Sequence, residues 1–150
     1  MNIESEIKNS SPLPLSSRTI INLMYTSRQV EEIASGKFKE FDITAQQFNV
    51  LRILRGQKGN PANLSTIQER MIDKSSNTTR LIDKLIQKKL VKRQICKNNR
   101  RKIEVFITNG GLELLSQLDP IVEETNKNIL DNLSTMEQEK LNTLLDKLRK

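Results

Sequence analysis

Apolar residues recur along this chain at two different periods, which predict a mainly helical fold with one β-hairpin. Residues 1 to about 14 are polar and are expected to form a loose arm. A long amphipathic helix follows, which Ser16 or Ser17 can cap and which ends near residues 36–39. Its apolar positions are Ile20, Leu23, Met24, Val30, Ile33 and Ala34.

Three shorter helices are predicted in the middle of the chain. Thr44 and Gln47 have the spacing of a capping box, which opens the first of them. A second, short helix leads through a tight connection at residues 73–75 into a third helix at about residues 76–89. Two short helices with so brief a connection form a helix-turn-helix pattern. The apolar faces of the first two consist of Phe48, Leu51 and Leu54, and of Leu64, Ile67, Met71 and Ile72.

After Leu90 the apolar period changes from helical to alternating, which predicts a β-hairpin. Val91, Arg93 and Ile95 lead into a charged tip, KNNRRK, at residues 97–102. The strand that leads out carries Ile103, Val105 and Ile107.

Two helices are predicted after the hairpin. Thr108 begins the first, which Pro120 is expected to bend, and Ser134 with Glu137 forms a second capping box before the last. The predicted order is α-α-α-α-β-β-α-α, in one domain without internal repeats. The fold class is therefore mainly α with a small β-hairpin wing (α+β).

Basic charge is concentrated in one part of the chain. Residues 73–102 hold 11 of the 25 lysines and arginines against only Asp73 and Asp83, so this window carries +9 in a chain of net charge +7. The window covers the second helix of the helix-turn-helix pattern and most of the hairpin. A basic helix followed by a basic hairpin fits a nucleic-acid duplex, with one part in a groove and the other on the phosphates.

The helix predicted at residues 76–89 has an apolar and a polar face. Small polar residues at its N-terminal end allow close approach to DNA, and the helix dipole there favours phosphate. Arg80 can reach a guanine edge, Asn77 can pair with adenine, and Lys84 is placed for phosphate. A solvated helix face is the alternative for each residue taken singly. The candidate DNA contacts here are Ser75, Ser76, Asn77, Thr79, Arg80 and Lys84.

The hairpin tip adds Arg100, Arg101 and Lys102 to the candidate DNA contacts. The alternative is a charged sheet edge that prevents aggregation with other sheets. Because the tip follows a helix-turn-helix pattern, we favour a wing that inserts an arginine into the minor groove.

The composition argues against catalysis. The chain has no histidine and a single cysteine, Cys96, which excludes imidazole bases, thiolate metal clusters and intramolecular disulfides. The paired acids Glu31 and Glu32, and Glu123 and Glu124, are sequence neighbours and do not face each other on a helix. We expect no enzyme, no cofactor and no metal. No apolar run of signal-peptide or membrane-spanning length occurs, so a cytoplasmic protein without a membrane partner is expected.

Three stretches resemble the MarR family of winged helix-turn-helix transcriptional regulators, namely TAQQFNVLRIL, SSNTTRLIDKLIQKKLVKR and NRRKIEVFITNGG. The resemblance implies one MarR-type domain over residues 1–150, with a winged helix-turn-helix lobe at about residues 43–108. It implies dimerisation helices at about residues 16–42 and 109–150, and a homodimer that reads a palindromic operator in double-stranded DNA. It also allows for a ligand pocket between the dimerisation region and each lobe.

Two positions depart from the family's pattern. The family's wing usually carries Asp-x-Arg, whereas Asn99 stands two residues before Arg101 here and cannot form the salt bridge, so a more mobile wing is expected. The recognition helix of the family often ends in glycine, whereas here Lys89 precedes Leu90. If this position is left-handed, lysine costs roughly 1 kcal/mol relative to glycine.

The last two helices carry more apolar residues than they can bury between themselves. Packing on the body of the same chain is the alternative, but a homodimer can also present two recognition helices one DNA turn apart. The candidate dimerisation residues are Leu112, Leu115, Ile129, Leu133, Leu141, Leu144, Leu145 and Leu148.

An aromatic or anionic small-molecule effector is the predicted ligand. Tyr25, Phe38, Phe48 and Arg52 are the candidate lining residues, although aromatic residues at helical spacing are more often part of the core. Cys96 lies in a wing strand, where a neighbouring lysine can favour its thiolate, but an unreactive cysteine is the better interpretation.

Two functions of different kinds fit these features. The first is a homodimeric, sequence-specific transcriptional repressor that a small ligand releases from DNA. The alternative is a non-specific or RNA-binding winged-helix architectural protein, which needs only the basic surface. A regulator should bind its own promoter palindrome far more tightly than random duplex at about 150 mM salt.

Overall fold

The computed structural model describes residues 1–149, in which seven α-helices accompany one antiparallel sheet of two strands. The elements are α1 (Ile3–Glu6), α2 (Leu15–Lys39), α3 (Ala45–Gly56), α4 (Leu64–Arg70), α5 (Thr78–Gln87), β1 (Val91–Cys96), β2 (Asn99–Ile107), α6 (Asn109–Ile129) and α7 (Thr135–Arg149). The predicted fold class is confirmed, with one additional short helix at the N-terminus.

The N-terminal residues pack on α2, so the prediction of a loose arm was wrong. Ile3 is buried, and the Arg18 Nε atom lies 3.3 Å from a carboxylate oxygen of Glu4. These contacts join residues more than ten positions apart. Local composition, which is polar here, could not indicate them.

The start of α2 also differs from the prediction. Pro14 occupies the cap position instead of Ser16 or Ser17, and no side chain caps this end. The first N–H groups of a helix can be satisfied by water as well as by a side chain. A serine near the start of a helix is therefore not sufficient evidence that it caps the helix.

Three other predicted helix starts, those of α3, α6 and α7, are confirmed. Thr44 and Gln47 make both hydrogen bonds of a capping box at α3. The Ser134 N–H donates to Glu137, and the Glu137 N–H donates to the Ser134 hydroxyl, at the start of α7. Thr108 caps α6. Each of these caps depends on residues three positions apart, so the sequence alone was sufficient to predict it.

The hydrophobic core lies between α3, α4, α5, β2 and the first half of α6. Ile72 was predicted to join it but is 83% exposed, because α4 ends at Arg70 and the helical period no longer positions the residue. The fully buried large side chains are Val50, Leu51, Leu54, Ile67, Met71, Ile82, Leu85, Val105, Leu115 and Leu118.

The hairpin is regular at its base and irregular towards its tip. Ile95 pairs with Ile103, but the next pair is Cys96 with Asn99, so residues 100–102 lie between two paired positions of β2. The predicted tip at residues 97–102 is therefore a turn at residues 97–98 followed by a bulged stretch of strand. Ile95 is 63% exposed, because this outer part of the sheet extends beyond the core.

Close packing joins the start of α6 to the end of α5. The Thr108 hydroxyl donates to the Lys89 carbonyl at 2.8 Å, and the Thr108 N–H donates to the Leu90 carbonyl at 3.0 Å. A Cβ atom on Gly111 would lie 2.4 Å from the Leu90 carbonyl oxygen, so only glycine fits at this crossing. From there α6 continues through Pro120 towards α7.

Candidate nucleic-acid interface

Side-chain hydrogen bonds hold the connection between α4 and α5 in one conformation. Asp73 accepts from the Ser75 hydroxyl at 2.6 Å and from the Ser75 N–H at 2.9 Å. These bonds lower the pKa of Asp73, the hydroxyl having the larger effect. The Gln68 amide donates to the Lys74 carbonyl at 2.9 Å, and its oxygen accepts from the Thr78 hydroxyl. These hydrogen bonds therefore fix the position of the start of α5 relative to α4.

The helix α5 begins two residues later than predicted. Asn77 is its N-cap, and the Asn77 Oδ1 atom accepts from the Arg80 N–H at 3.1 Å. Ser75 and Ser76 consequently precede the helix instead of lying on its face. The bidentate adenine contact expected for Asn77 would need the same Oδ1 atom, so it is not available in this conformation.

The outer face of α5 is polar and open. Thr79, Arg80 and Lys84 are exposed, whereas Thr78, Ile82 and Leu85 are buried on the opposite side. Thr79, Arg80 and Lys84 are therefore accessible to a partner on one face of α5. The Ser76 hydroxyl oxygen, in contrast, is buried and makes no hydrogen bond within residues 1–149.

An ion pair that the sequence did not reveal joins α5 to the hairpin. The Arg93 Nη1 atom lies 2.9 Å from the Asp83 Oδ1 atom. Asp83 is the acid of α5, and its charge is compensated by this neighbour, so the outer face of the helix stays basic. The pairing depends on how β1 lies against α5, and no local spacing signals it.

The three candidate DNA contacts of the wing are exposed on the bulged stretch of β2. Asn99 Oδ1 accepts from the Arg101 backbone N–H at 3.1 Å, so Asn99 supports the main chain instead of the guanidinium. At the base of the hairpin, the Lys92 ammonium lies 5.6 Å from the centroid of the Phe106 ring. The stretch consists of Arg100, Arg101 and Lys102.

The end of α5 has the left-handed residue that was anticipated. Lys89 has φ 61°, the Lys89 N–H donates to the Ile86 carbonyl, and the Leu90 N–H donates to the Leu85 carbonyl. This is the hydrogen-bond pattern that usually places glycine at the left-handed position. A lysine therefore occupies a strained conformation at the exit from the helix.

The four candidate ligand-lining residues do not form one pocket. Phe38 and Phe48 stack with ring centroids 4.5 Å apart, and the Arg52 guanidinium carbon lies 5.9 Å from the Phe48 centroid. Tyr25 is on the same helix as Phe38 but about 20 Å away along its axis, at 1.5 Å per residue. Its hydroxyl donates to Glu6 at 3.1 Å, which raises the pKa of Tyr25.

A small cleft lies elsewhere, between α2 and α6. It is partly open to solvent and is lined by residues that include Lys37, Phe38, Val122 and Thr125. Phe38 is thus the single predicted lining residue that borders it. The periodicity of α6 placed Val122 on an apolar face but could not show that it faces a cleft.

The candidate dimerisation residues divide into two groups. Leu115 is fully buried in the core of its own chain, which corrects its assignment to a dimer surface, because the first half of α6 packs on α3. The others are exposed or partly exposed: Leu112, Ile129, Leu133, Leu141, Leu144, Leu145 and Leu148.

Residues 1–149 hold neither a membrane-spanning helix nor a candidate metal site. No helix within residues 1–149 is long and apolar enough to cross a bilayer. No group of three or more histidine, cysteine, aspartate or glutamate side chains is arranged there to hold a metal ion. The single cysteine, Cys96, is partly exposed.

Comparisons with known proteins agree on one family. Residues 43–103 match the sequence profile of the MarR family. A MarR transcription factor from Planctomyces limnophilus is 31% identical, and the match covers 91% of this chain and 98% of that one, with a TM-score of 0.71.

Two further solved structures are similar over most of their length. BpsR from Bordetella bronchiseptica, whose DNA binding is regulated by 6-hydroxynicotinic acid, is 25% identical, with coverage of 85% and 96% and a TM-score of 0.75. MepR from S. aureus, solved in complex with DNA, is 23% identical, with coverage of 91% and 97% and a TM-score of 0.77. At this last identity the likeness concerns the fold.

Proposed function

Because the chain belongs to the MarR family of transcription regulators, we propose that it binds a palindromic DNA operator as a homodimer and represses transcription until a small ligand releases it. One observation carries the DNA-binding part of the proposal: the open face of α5 and the bulged basic stretch of the wing both belong to the +9 window and flank the Asp83–Arg93 ion pair. An α-helix enters the major groove, while a basic wing reaches phosphates or the minor groove.

Each candidate contact has a chemical role in this proposal. Arg80 is long enough to donate two hydrogen bonds to a guanine, and Thr79 can contact a base edge or a thymine methyl group. Lys84 lies one turn further along α5 and meets phosphate. Arg101 enters the minor groove, with its backbone supported by Asn99.

Ser75 precedes the N-terminus of α5, where free backbone N–H groups and the helix dipole attract phosphate. Ser76 and Asn77 support this end of the helix instead, because the Ser76 hydroxyl is buried and Asn77 caps α5. Arg100 and Lys102 flank Arg101 on the wing and add charge that any duplex attracts.

A homodimer accounts for the apolar residues that one chain leaves exposed. On α2, Met24 is 64% exposed and Ile33 is 48% exposed, and on α7 Leu144 is 54% exposed. Monomeric proteins rarely leave such a series of apolar residues in water. We assign the winged lobe to about residues 43–108 and the dimerisation helices to about residues 16–42 and 109–149; residue 150, which was included in the predicted dimerisation region, lies outside the described residues. Two lobes in one dimer would present their recognition helices about 34 Å apart, one turn of DNA.

The ligand part of the proposal concerns the cleft between α2 and α6. Its lining residues belong to α2 and α6, and one of them, Phe38, also stacks on Phe48 of the lobe. Lys37 gives the cleft a cation suited to an anionic compound. The regulation of BpsR by 6-hydroxynicotinic acid supports a small aromatic acid as the class of ligand. No catalytic role is proposed, since the matched proteins are transcription factors.

Selection of operators from random duplexes, followed by binding measurements on variants, tests the DNA-binding part. We expect Arg80→Ala to weaken operator binding by about 1–3 kcal/mol and to relax the preference at one base pair. Arg101→Ala should weaken binding to all duplexes and reduce the salt dependence by about one counterion. Arg28→Ala is the matched control, because its exposed guanidinium on α2 is outside the proposed interface.

The outcomes separate the two functions. Selection of a palindrome that the protein binds far more tightly than random duplex supports the regulator. Equal affinity for selected and random DNA, or preference for RNA, would favour the architectural alternative. If both arginine variants bind the selected operator as tightly as the unaltered protein does, the proposed docking is wrong.

A further inference from the structure

The helix α6 packs against the core of the winged lobe with its first half and faces α2 with its second half. In its first half, Leu115 and Leu118 are fully buried in the core that also contains Leu51 and Leu54 of α3. In its second half, Val122 faces α2 across the cleft described above. A rotation within α6 would therefore change the angle between the winged lobe and the helices assigned to dimerisation.

Pro120 stands between these two halves. Proline has no backbone N–H, so the Ser116 carbonyl lacks its usual partner four residues later, and the proline ring crowds that carbonyl. Sharp bends in helices occur mainly at such positions. The helix α6 thus lacks one backbone hydrogen bond where its two halves meet.

An ion pair joins α3 of the lobe to α6 directly before this point. The Arg55 Nη1 atom donates to Asp119 Oδ2 at 2.8 Å, and the Arg55 Nη2 atom donates to Asp119 Oδ1 at 3.1 Å. Arg55 is in the last turn of α3, and Asp119 directly precedes Pro120. Two parallel hydrogen bonds fix both the distance and the relative orientation of the groups, which a single contact does not.

The energy of this pair is too small for a role in folding. The side chains are 37% and 48% exposed, and ion pairs at such sites contribute little net stability. Its geometry is nevertheless specific. The α3 helix packs directly on α5, with Leu51 and Leu85 in one core, so the orientation of α3 is passed on to the recognition helix.

We propose that the Arg55–Asp119 pair is a positioning contact that holds α3 of the winged lobe at one angle to α6, directly before Pro120, and thereby sets the operator half-site spacing that the dimer accepts. This inference rests on the proposed function, because it requires a dimer on a two-part operator. One added base pair moves a half-site by about 3.4 Å, so a modest change of lobe angle alters which spacing fits.

Electrostatics alone makes the opposite prediction for Asp119. Removal of a negative charge from a protein that binds a polyanion should raise its affinity for every duplex. A positioning role instead requires weaker binding to the selected operator and a smaller difference between spacings. The sign of the change on the selected operator therefore distinguishes the two explanations.

The experiment uses the full chain and three duplexes. They are the operator selected by the unaltered protein and two versions with one central base pair inserted or removed. We expect the unaltered protein to prefer its selected spacing, and Asp119→Ala and Arg55→Ala each to reduce this preference at least about fivefold, the size of a typical coupling between sites. The exchanged pair Arg55→Asp with Asp119→Arg should restore most of it.

Glu123→Ala is the matched control. Glu123 also lies on α6 and pairs with Lys127 at 3.1 Å, but this pair is contained within the helix. Its removal should leave the spacing preference unchanged. Thermal unfolding of every variant checks that the fold is retained, and Asp119→Asn, which keeps the shape of the side chain, serves if Asp119→Ala does not fold.

Failure of this inference is separate from failure of the proposed function. If the unaltered protein selects no operator, the proposed function fails. If it binds one operator specifically but accepts all three spacings equally, or if the folded Asp119 and Arg55 variants keep its spacing preference, the positioning role is overturned. Higher affinity of Asp119→Ala for all three duplexes would leave simple electrostatics as the explanation.

Discussion

The winged lobe and the helices around it use similar apolar residues with opposite results. In the lobe, Leu54, Ile67 and Leu85 are almost completely buried. The last helix, α7, has leucines at helical spacing too, yet none of its residues that the structure describes is buried. Leu144 and Leu148 remain more than half exposed.

This contrast separates a part of the chain that completes its own core from a part that does not. Burial of an apolar side chain contributes about 1.5–3 kcal/mol, so a leucine left in water represents stabilisation that a single chain has not realised. The lobe should therefore be stable at any protein concentration. The proposed dimerisation helices should depend on a second chain.

The same substitution in both regions tests this contrast most directly. Leu85→Ala removes a fully buried side chain and should lower the free energy of unfolding by about 2–5 kcal/mol at every protein concentration. Leu144→Ala should lower it less, and the loss should depend on concentration because it acts through dimerisation. Urea denaturation at two concentrations a hundredfold apart measures both effects. Concentration-independent losses of equal size would abolish the distinction between the two regions.

Two glycines provide the second comparison. Gly111→Ala would place a Cβ atom 2.4 Å from the Leu90 carbonyl oxygen and should destabilise the protein by about 1–3 kcal/mol through overpacking. Gly36 on α2 has nothing within 4 Å, so Gly36→Ala should stabilise by about 0.5–1 kcal/mol. Thermal unfolding of both variants is the measurement. A Gly111→Ala protein as stable as the unaltered one would show that the junction of α5 and α6 can yield.

Two substitutions in α5 should change the free energy of unfolding by smaller amounts, in opposite directions. Lys89→Gly relieves a left-handed conformation and should stabilise the lobe by about 1 kcal/mol. Lys84→Gly is the control, since glycine in the interior of the same helix should destabilise by about 1 kcal/mol. Both remove one positive charge, so urea midpoints compare conformation alone. Equal midpoints for the two variants would contradict the assignment of strain to Lys89.

The smallest expected effect is a loss of stability at acidic pH. Each of the two regions has one carboxylate that contributes to it. The Ser75 hydroxyl and N–H lower the pKa of Asp73 below 3.8, and the Ser134 N–H and hydroxyl lower the pKa of Glu137 below 4.5. A depressed folded-state pKa adds stability that is present above the unfolded-state pKa and is lost as the pH falls through the folded-state pKa. Both helix connections should therefore weaken below about pH 4.

Carboxyl-resolved NMR titration of the folded and the urea-unfolded chain measures these two pKa values. Ser75→Ala should move the pKa of Asp73 back towards its ordinary value, because the hydroxyl has the largest effect. Ser134→Ala should change the pKa of Glu137 less, because the backbone N–H has the larger effect there and is retained. Identical pKa values in the folded and unfolded chains would contradict both assignments.

Much of the candidate interface could be predicted because its signals are local. The amphipathic face of α5 brings Thr79, Arg80 and Lys84 to one side by helical geometry alone. The left-handed conformation at Lys89 was considered only because the MarR family often has glycine at this position. The ion pairs of Arg93 and Arg55 could not be predicted, because their partners lie 10 and 64 residues away.

The amino-acid sequence by itself determined the order of the elements, the starts of α3, α6 and α7, and the concentration of charge on a helix and a hairpin. These features depend on residues three or four apart, or on composition within a short window. Only the tertiary structure decided that Ile3 is anchored, that Ile72 is exposed and that Leu115 is buried while Leu144 is not. Burial depends on which distant part of the molecule packs against a residue. Leucines at the same spacing on two helices do not indicate which of them will be packed in this way.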